Sequence, residues 1–282
     1  MKKKLTSKDF NLLLTFLDDE NEGTRALVKS QLKTLLKRNP KLIKLGKEAK
    51  NSQVNSSFNE FLEEYQFEKL EPAFKQLFKR GNNLDLEKGM YLLATIAYPE
   101  LKQKDISILL DKMAEAVDRL MGHLEPVPTR AVNGMRRYLF EKEGFSGNRK
   151  NFFDPDNCFI NKVLERRLGI PISLSCVYLF IAWRLGLPVH GVGLPGHFVV
   201  GHRIPRGVTY IDSFNQGKIL RSKDCEVLVK RLGVPFRQEY LDPMPNLGIL
   251  ARLIVNLINL YSDTGHDSKA RRLAQFLQMA EE

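Results

Sequence analysis

Residues 151–215 constrain the fold of this 282-residue chain more than any other part, because turn, helix and strand signals follow one another there. The turn signal is Gly-Ile-Pro-Ile at residues 169–172. Apolar residues then recur at helical spacing until Gly186 and a following proline end the pattern. The pattern predicts a helix with its N-cap at or near Ser173, and with Cys176 one turn further along the same face.

The segment after this helix is predicted to form a β-hairpin. Residues 197–203 and 208–212 are rich in β-branched and aromatic residues, and Ile-Pro-Arg-Gly at 204–207 separates them. If those four residues form the turn, Arg203 pairs with Val208 across the two strands. The register of the other pairs then follows by counting outward from the turn.

This register brings together two side chains with acid–base chemistry. Counting outward places Asp212 opposite Val199, and side chains alternate between the two faces of a strand. His197 and Asp212 thus become diagonal neighbours, about 7–8 Å apart at the backbone and within side-chain reach. The sequence therefore predicts an imidazole and a carboxylate on one face of the hairpin, and a hydroxyl, that of Ser173, at the positive end of the preceding helix.

The order of these groups resembles the transglutaminase-like superfamily with its papain-type core, in which a nucleophile begins a helix, a histidine opens a strand and an aspartate ends the next strand. In its residues the chain is similar to the SirB-type branch, which also occurs within some F-box proteins. The resemblance covers roughly residue 84 to the C-terminus. It is carried by Asn157, Val163, Leu164, Arg167, residues 169–175, residues 184–188, Gly193, residues 195–198, Asp212 and Phe214.

The resemblance implies a helix-rich α+β fold: a papain- or transglutaminase-like core with a small antiparallel sheet, preceded by an all-helical N-terminal region. Residues 1–80 show basic helical patterns that are weakly similar to a HEAT repeat. Residues 84–240 resemble the SirB-type transglutaminase-like domain. Residues 241–282 are predicted to form a helical hairpin that is similar to a single tetratricopeptide-type pair and caps the domain.

Candidate catalytic residues follow from the same resemblance. Transglutaminase-like enzymes carry a cysteine near this helix start, whereas Ser173 occupies the position here. With His197 as general base and Asp212 to orient it, Ser173 completes a Ser-His-Asp set, and Cys176 is the alternative nucleophile. Both nucleophiles have a structural interpretation as well. Serine commonly caps helices, where it contributes about 0.5–2 kcal/mol, and a cysteine on an apolar helix is commonly a small buried hydrophobe.

Further residues are expected to line or support the cleft, namely Asn157, Glu165, Arg167, Pro195 and Gly196. Glu165 and Arg167 can form a buried ion pair that holds the Gly-Ile-Pro turn. Alternatively, the arginines at 166 and 167 can bind a carboxylate from a partner. The sequence leaves both interpretations open.

Positive charge is concentrated near the N-terminus. The chain has a formal net charge of +11, and residues 1–50 hold 13 Lys+Arg against 6 Asp+Glu. Such a surplus attracts nucleic acid or an acidic partner. The basic residues lie on a predicted helical stretch with few aromatics between them, so a solvated helix face explains them as well.

Composition bounds the remaining possibilities. A hydrophobic content of 43% is ordinary for a globular protein, and no apolar run approaches the ~20 residues that span a bilayer. The three scattered cysteines, Cys158, Cys176 and Cys225, indicate neither a disulfide framework nor a metal site. Phosphate-loop and dinucleotide-binding motifs are absent from the sequence. We therefore expect a cytoplasmic protein without membrane contact, cofactor or metal.

Two functions of different classes remain, with a third as a minor option. The favoured hypothesis is a non-catalytic regulatory module that binds a protein or peptide partner in the cleft. The alternative is an acyl-transfer enzyme, such as an amidase, a protease or a transglutaminase-like hydrolase. In that case Ser173 attacks a carbonyl, and backbone N–H groups near the helix start hold the oxyanion. The minor option is a nucleic-acid-associated regulator that uses basic residues 1–50.

Overall fold

The computed structural model describes residues 7–48, 51–122, 128–205 and 207–281. Contacts divide the chain into two compact units, Met1–Pro72 and Ala73–Glu282. The start of the predicted basic region, its last residue Lys50, and Arg206 of the predicted hairpin turn lie outside the described residues.

The first unit is helical throughout its described residues apart from short connections. Its helices are α1 (Ser7–Thr15), α2 (Glu22–Arg38), α3 (Leu42–Lys47) and most of α4 (Ser52–Phe78). Helix α2 begins after Asn21, because the Asn21 side chain accepts a hydrogen bond from the N–H of Thr24. Apolar side chains meet in one core, where the rings of Phe10 and Phe58 pack edge to face at 5.7 Å.

The second unit is built around one buried helix. The helices of this unit are α5 (Leu86–Ala97), α6 (Gln103–Met121), α7 (Pro128–Arg136), α8 (Ile160–Arg166), α9 (Pro171–Arg184), α10 (Ser222–Lys230), α11 (Asn246–Asp263) and α12 (Asp267–Glu281). Helix α9 is apolar nearly all round, and its residues 172–182 are all buried. A helix with this pattern belongs to the interior of a domain, and α9 accordingly contacts helices and strands alike.

Short strands complete the second unit. They are β1 (Ser146–Gly147), β2 (Leu168–Gly169), β3 (Val189–Leu194), β4 (His197–Ile204), β5 (Gly207–Asp212) and β6 (Lys218–Leu220). Strands β1 and β2 form a parallel pair, while β3 to β6 form an antiparallel sheet in chain order. This sheet packs against α9 through β3 and β4.

The predicted hairpin is the pair β4 and β5, and its predicted register is confirmed. Arg203 pairs with Val208, and the pair formed by Val200 and Ile211 continues the same register outward. Because a slip of one residue would turn every side chain to the other face, this agreement also fixes which residues of β4 and β5 can meet.

The sequence did not predict β3 or β6. In β3, glycines interrupt the alternation of side chains that identifies a strand. Gly191 is required by close packing, because a Cβ atom there would lie only 2.7 Å from the ring of Phe198. The close packing of β3 therefore requires glycine, and glycine removes the side-chain alternation from which the strand could have been predicted.

The architecture confirms the expected helix-rich α+β class, with a small antiparallel sheet and an all-helical N-terminal region. Helices α11 and α12 pack side by side at the C-terminus. Of the helices in the described ranges, none is both long enough and apolar enough to cross a membrane.

Candidate functional site

The predicted imidazole–carboxylate pair is present at the end of the hairpin. His197 is the first residue of β4 and Asp212 the last of β5, and Nε2 of His197 lies 3.0 Å from Oδ2 of Asp212. This is an ion-pair distance, although the ring nitrogen is not in hydrogen-bond geometry with that oxygen. The His197 side chain is 16% exposed and the Asp212 side chain 2%. The histidine thus meets solvent while the carboxylate lies behind it.

The carboxylate of Asp212 is held by the turn that follows β5. Asn215 donates its backbone N–H to Oδ1 (3.1 Å) and its side-chain amide to Oδ2 (2.6 Å). Asn215 in turn accepts a hydrogen bond from the guanidinium of Arg149. Burial by itself raises the pKa of Asp212, but His197 and Asn215 together hold that pKa below its ordinary value. Asp212 is therefore a charged carboxylate behind the imidazole.

Ser173 lies near the N-cap of α9, as predicted, but as the third residue of the helix and not as the N-cap itself. Ile170 is the N-cap, because Pro171 has no N–H and suits the first helical position. The Ser173 hydroxyl accepts the N–H of Ile170 (3.1 Å) and lies 2.5 Å from the carbonyl oxygen of Asn157, to which it donates. The carbonyl of Ile170, at 3.1 Å, is a second acceptor for the same proton. Ser173 is fully buried, and its hydrogen-bond partners are all backbone groups.

Cys176, the alternative nucleophile, is also fully buried in α9. Burial raises the pKa of its thiol. A reactive cysteine needs an accessible thiolate, so the surroundings of Cys176 are those of a small apolar side chain.

Asn157 contacts the first turn of α9 and the segment before it. Its buried side chain donates to the carbonyl oxygens of Asn151 (2.7 Å) and Phe152 (3.1 Å), and it accepts from the amide of Asn148 (2.9 Å). Its own carbonyl is the acceptor for Ser173. Asn157 therefore ties the segment 148–157 to the beginning of α9.

The predicted pairing of Glu165 with Arg167 is wrong. Glu165 is 63% exposed and pairs with Lys162 at 2.7 Å, because the two residues lie on one face of α8. Arg167 pairs instead with Glu143 at 2.7 Å. Neither residue is among the described residues that line the pocket beside His197.

A pocket of about 320 Å³ opens beside His197. Gly196, in the turn between β3 and β4, forms part of its wall, whereas Pro195 of the same turn does not line it among the described residues. Its apolar wall consists of Phe152, Phe153, Ile170, Pro171, Ile172, Phe198 and Leu260. Ser173 and Asp212 lie behind this lining and are not part of it. The pocket therefore presents an imidazole and apolar side chains where the N-terminus of α9 meets the sheet.

Helix α11 supplies the opposite wall, which the sequence analysis missed. Arg252, Asn256, Asn259 and Asp263 line the pocket from this helix. They follow one another at spacings of four, three and four residues, so they share one face of α11. A polar stripe on an otherwise apolar helix was the available signal, but only the fold places this stripe opposite His197.

Arg252 is held in place by the turn between β3 and β4. Its Nη2 atom donates to the carbonyl oxygens of Leu194 (2.6 Å) and His197 (2.8 Å), and its guanidinium lies 5.8 Å from the ring centre of Phe198. Burial lowers the pKa of the guanidinium. Among the described residues, no three His, Cys, Asp or Glu side chains form a cluster that could hold a metal ion.

One protein-family model and several known proteins are similar to this chain. Residues 104–255 match a family model described as the transglutaminase-like superfamily. A UPF0162 protein of Xylella fastidiosa is 36% identical over 199 residues, covering 68% of this chain and 70% of that protein. A UPF0162 protein of Vibrio cholerae is 28% identical over 182 residues, covering 62% and 65%. F-box only protein 21 of Homo sapiens is 32% identical over 159 residues, covering 54% of this chain and 25% of that protein. No solved structure matched the chain.

The matched segment contains most of the site, except for the pocket-lining residues of α11 beyond residue 255. It includes α9, the sheet and the part of α11 that carries Arg252. It spans more than half of the chain, and the Xylella relative is similar across more than two thirds of both proteins. The expected resemblance is confirmed: this chain belongs to the transglutaminase-like superfamily.

Proposed function

We propose that the pocket beside His197 binds a segment of a partner protein without cleaving it. The observation that carries this proposal is the orientation of Ser173. Its hydroxyl is buried and donates to a backbone carbonyl, and Pro171 and Ile172 face the pocket at the start of α9 instead. A cleft that is lined by apolar side chains at this helix start, with the Ser173 hydroxyl turned away from it, is suited to binding and lacks an exposed group that would attack a carbonyl.

The rim of the pocket also suits a protein ligand. Phe153 is 66% exposed and Phe152 lies beside it in edge-to-face contact at 5.5 Å. Exposed aromatic side chains at the mouth of an apolar pocket are typical anchors of protein interfaces. Amide side chains on α11, Asn256 and Asn259, can accept and donate hydrogen bonds to the backbone of an extended segment.

The acyl-transfer alternative is supported by a different observation, the pair of His197 and Asp212. A charged carboxylate behind an imidazole is the arrangement that stabilises an imidazolium during general-base catalysis. For this activity, Ser173 would have to leave the carbonyl of Asn157 and turn toward His197. The two functions are thus separated by whether Ser173 is reactive.

The test begins with selection of peptides from a phage-displayed library against the immobilised full-length protein. Selected peptides are synthesised with a fluorophore, and their dissociation constants are measured by fluorescence polarisation. We expect Asn259→Trp, which places an indole in the pocket, to weaken binding by roughly tenfold or more. Val255→Trp is the matched control, because Val255 is exposed on the same helix and does not line the pocket.

Ser173→Ala separates the two candidate functions. Binding without catalysis predicts that this variant keeps its peptide affinity within about twofold, or ~0.4 kcal/mol. Modification of Ser173 by a fluorophosphonate, lost in His197→Ala, would favour the enzyme. Peptides that bind Asn259→Trp as tightly as the wild type would overturn the assignment of the pocket.

A further inference from the structure

Arg252 is a cation in the pocket wall that has no carboxylate partner. Its Nη2 atom is occupied by the carbonyl oxygens of Leu194 and His197. In the part of the chain that the structure describes, no Asp or Glu lies within ion-pair distance of Arg252, and its Nε and Nη1 atoms have no hydrogen-bond acceptor. Neither atom is among the fully buried, unpartnered side-chain nitrogens of the described residues, so each keeps some contact with solvent, although Nη1 also packs close to Gly193.

The nearest acidic residue in the pocket lining is too distant to neutralise Arg252. Asp263 lies eleven residues further along α11, which corresponds to about 16 Å along the helix axis. It is also exposed. A partly buried charge is unfavourable unless it is paired, so the pocket has a defined place for one negative charge.

We propose that the pocket binds the C-terminal carboxylate of the partner segment and that Arg252 is its counterion. This inference rests on the proposed function and names the chemistry of its ligand. With Nη2 occupied, Nε and Nη1 point in different directions, so each can donate a single charge-assisted hydrogen bond to a carboxylate oxygen. The last side chain of the segment then packs on the apolar wall that includes Ile172 and Phe152.

A chain end fits this place better than an acidic side chain. The turn between β3 and β4 lies beyond Arg252, because Leu194 and His197, on either side of that turn, both accept hydrogen bonds from the guanidinium. Gly196, within the turn, lines the pocket. We infer that this turn limits the space past Arg252, so that the bound segment ends there.

The lining also favours a carboxylate over a phosphate. Arg252 is the one Lys or Arg among the described residues of the lining, and most of the remaining wall is apolar. A singly charged carboxylate is neutralised by one guanidinium, whereas a phosphate dianion would leave charge uncompensated beside apolar side chains.

The experiment is an NMR titration of the full-length, ¹⁵N-labelled protein with N-acetyl-phenylalanine and with its C-terminal amide. The Nε–Hε signal of Arg252 is assigned by its absence in Arg252→Lys. We expect the free acid to shift this signal with a dissociation constant of about 1 mM, as befits so small a ligand. The amide should bind roughly tenfold more weakly, since it cannot form the charge-assisted pair.

Asn256→Asp tests the inference with Arg252 intact. The new carboxylate lies one helical turn from Arg252 on the same face of α11, so it competes with the ligand for the guanidinium. We expect roughly tenfold weaker binding of the free acid. Asn82→Asp is the charge-matched control, because Asn82 is exposed and does not line the pocket.

The outcomes distinguish this inference from the proposed function. Equal binding of acid and amide would overturn the role of the carboxylate but leave peptide binding in the pocket standing. If inorganic phosphate shifts the Arg252 signal as strongly as the acid does, the pocket is a general anion site. This result would also overturn the inference. Absence of any shift with the acid would also refute the inference, whereas the selected peptides decide the proposed function separately.

Discussion

The hydroxyl of Ser173 acts on the backbone at the start of α9. It satisfies the N–H of Ile170 and the carbonyl of Asn157, two groups that come from different segments. Gly169 makes room for it, because a Cβ atom at Gly169 would lie 2.7 Å from the Ser173 oxygen. Ser173, which occupies the nucleophile position in the sequence, therefore has a structural role that explains why its side chain is buried.

Ser173→Ala should lower the free energy of unfolding by about 1–3 kcal/mol, because it leaves a buried N–H and a buried carbonyl without a partner. Ser175→Ala is the matched control. The Ser175 hydroxyl is equally buried but has no hydrogen-bond partner among the described residues, so its removal should cost less than ~0.5 kcal/mol or stabilise the fold. Urea denaturation followed by the fluorescence of Trp183, the single tryptophan, measures both variants. Equal stability of the two would contradict the capping role.

Asp212→Asn should lower stability at neutral pH by about 1–3 kcal/mol, since the charged partner of His197, which also accepts hydrogen bonds from Asn215, is lost. Burial raises the pKa of Asp212, but His197 and Asn215 bring it below its ordinary value. Because the pKa of Asp212 is lower in the folded than in the unfolded state, the ionised carboxylate stabilises the fold at pH values above the unfolded-state pKa of about 3.9. This stabilisation is lost as the pH falls through the folded-state pKa. Urea midpoints of wild type and variant should therefore converge in acid. A gap that stays constant down to low pH would refute this account of Asp212.

Among the elements, the segment from Asn148 to Asn157 controls the rim of the pocket. Asn157→Ala removes the side chain that binds the carbonyls of Asn151 and Phe152 and the amide of Asn148. We expect a loss of about 1–3 kcal/mol in stability. Peptide affinity should fall as well, because Phe152 and Phe153 lose their support.

Lys150→Ala serves as the control for this segment, since Lys150 is exposed and does not line the pocket. Urea denaturation and fluorescence polarisation with a selected peptide measure the two effects separately. If Asn157→Ala destabilises the fold but leaves affinity at the wild-type value, the segment does not shape the rim.

What the sequence could predict depends on how local each interaction is. The register of β4 and β5 follows from one turn and the alternation of side chains, so the contact between His197 and Asp212 was predictable. The inward orientation of Ser173 was not, because the acceptor at Asn157 reaches it from a separate segment. The position of Arg252 opposite His197 likewise depends on how α11 packs, which periodicity does not reveal.

Across the whole molecule, the basic surplus and the pocket belong to different units. In the first unit part of the positive charge is paired, since Lys29 binds Glu64 at 2.7 Å and Lys33 binds Glu68 at 2.6 Å. Paired lysines on a helix face agree with a solvated surface as well as with a weak nucleic-acid site. The pocket lining, by contrast, lies entirely within residues 152–263 of the second unit. Peptide binding should therefore not depend on the first unit.

A fragment of residues 73–282 should fold cooperatively and bind a selected peptide with the affinity of the full chain, within about twofold. A fragment that begins at residue 84, the start of the predicted core domain, should be less stable by at least ~3 kcal/mol. The reason is Phe74, whose ring stacks on that of Phe276 at 4.4 Å within the second unit, so the shorter fragment exposes the core side of α12.

Urea denaturation and fluorescence polarisation of the two fragments decide where the functional unit begins. Equal stability would place the boundary at residue 84, because the end of α4 would then contribute nothing to the core around Phe276. Loss of peptide affinity in the longer fragment, with its fold intact, would mean that residues 1–72 take part in recognition. The same fragment tests the minor nucleic-acid function, because a salt-sensitive affinity carried by residues 1–50 must vanish from it while peptide binding persists.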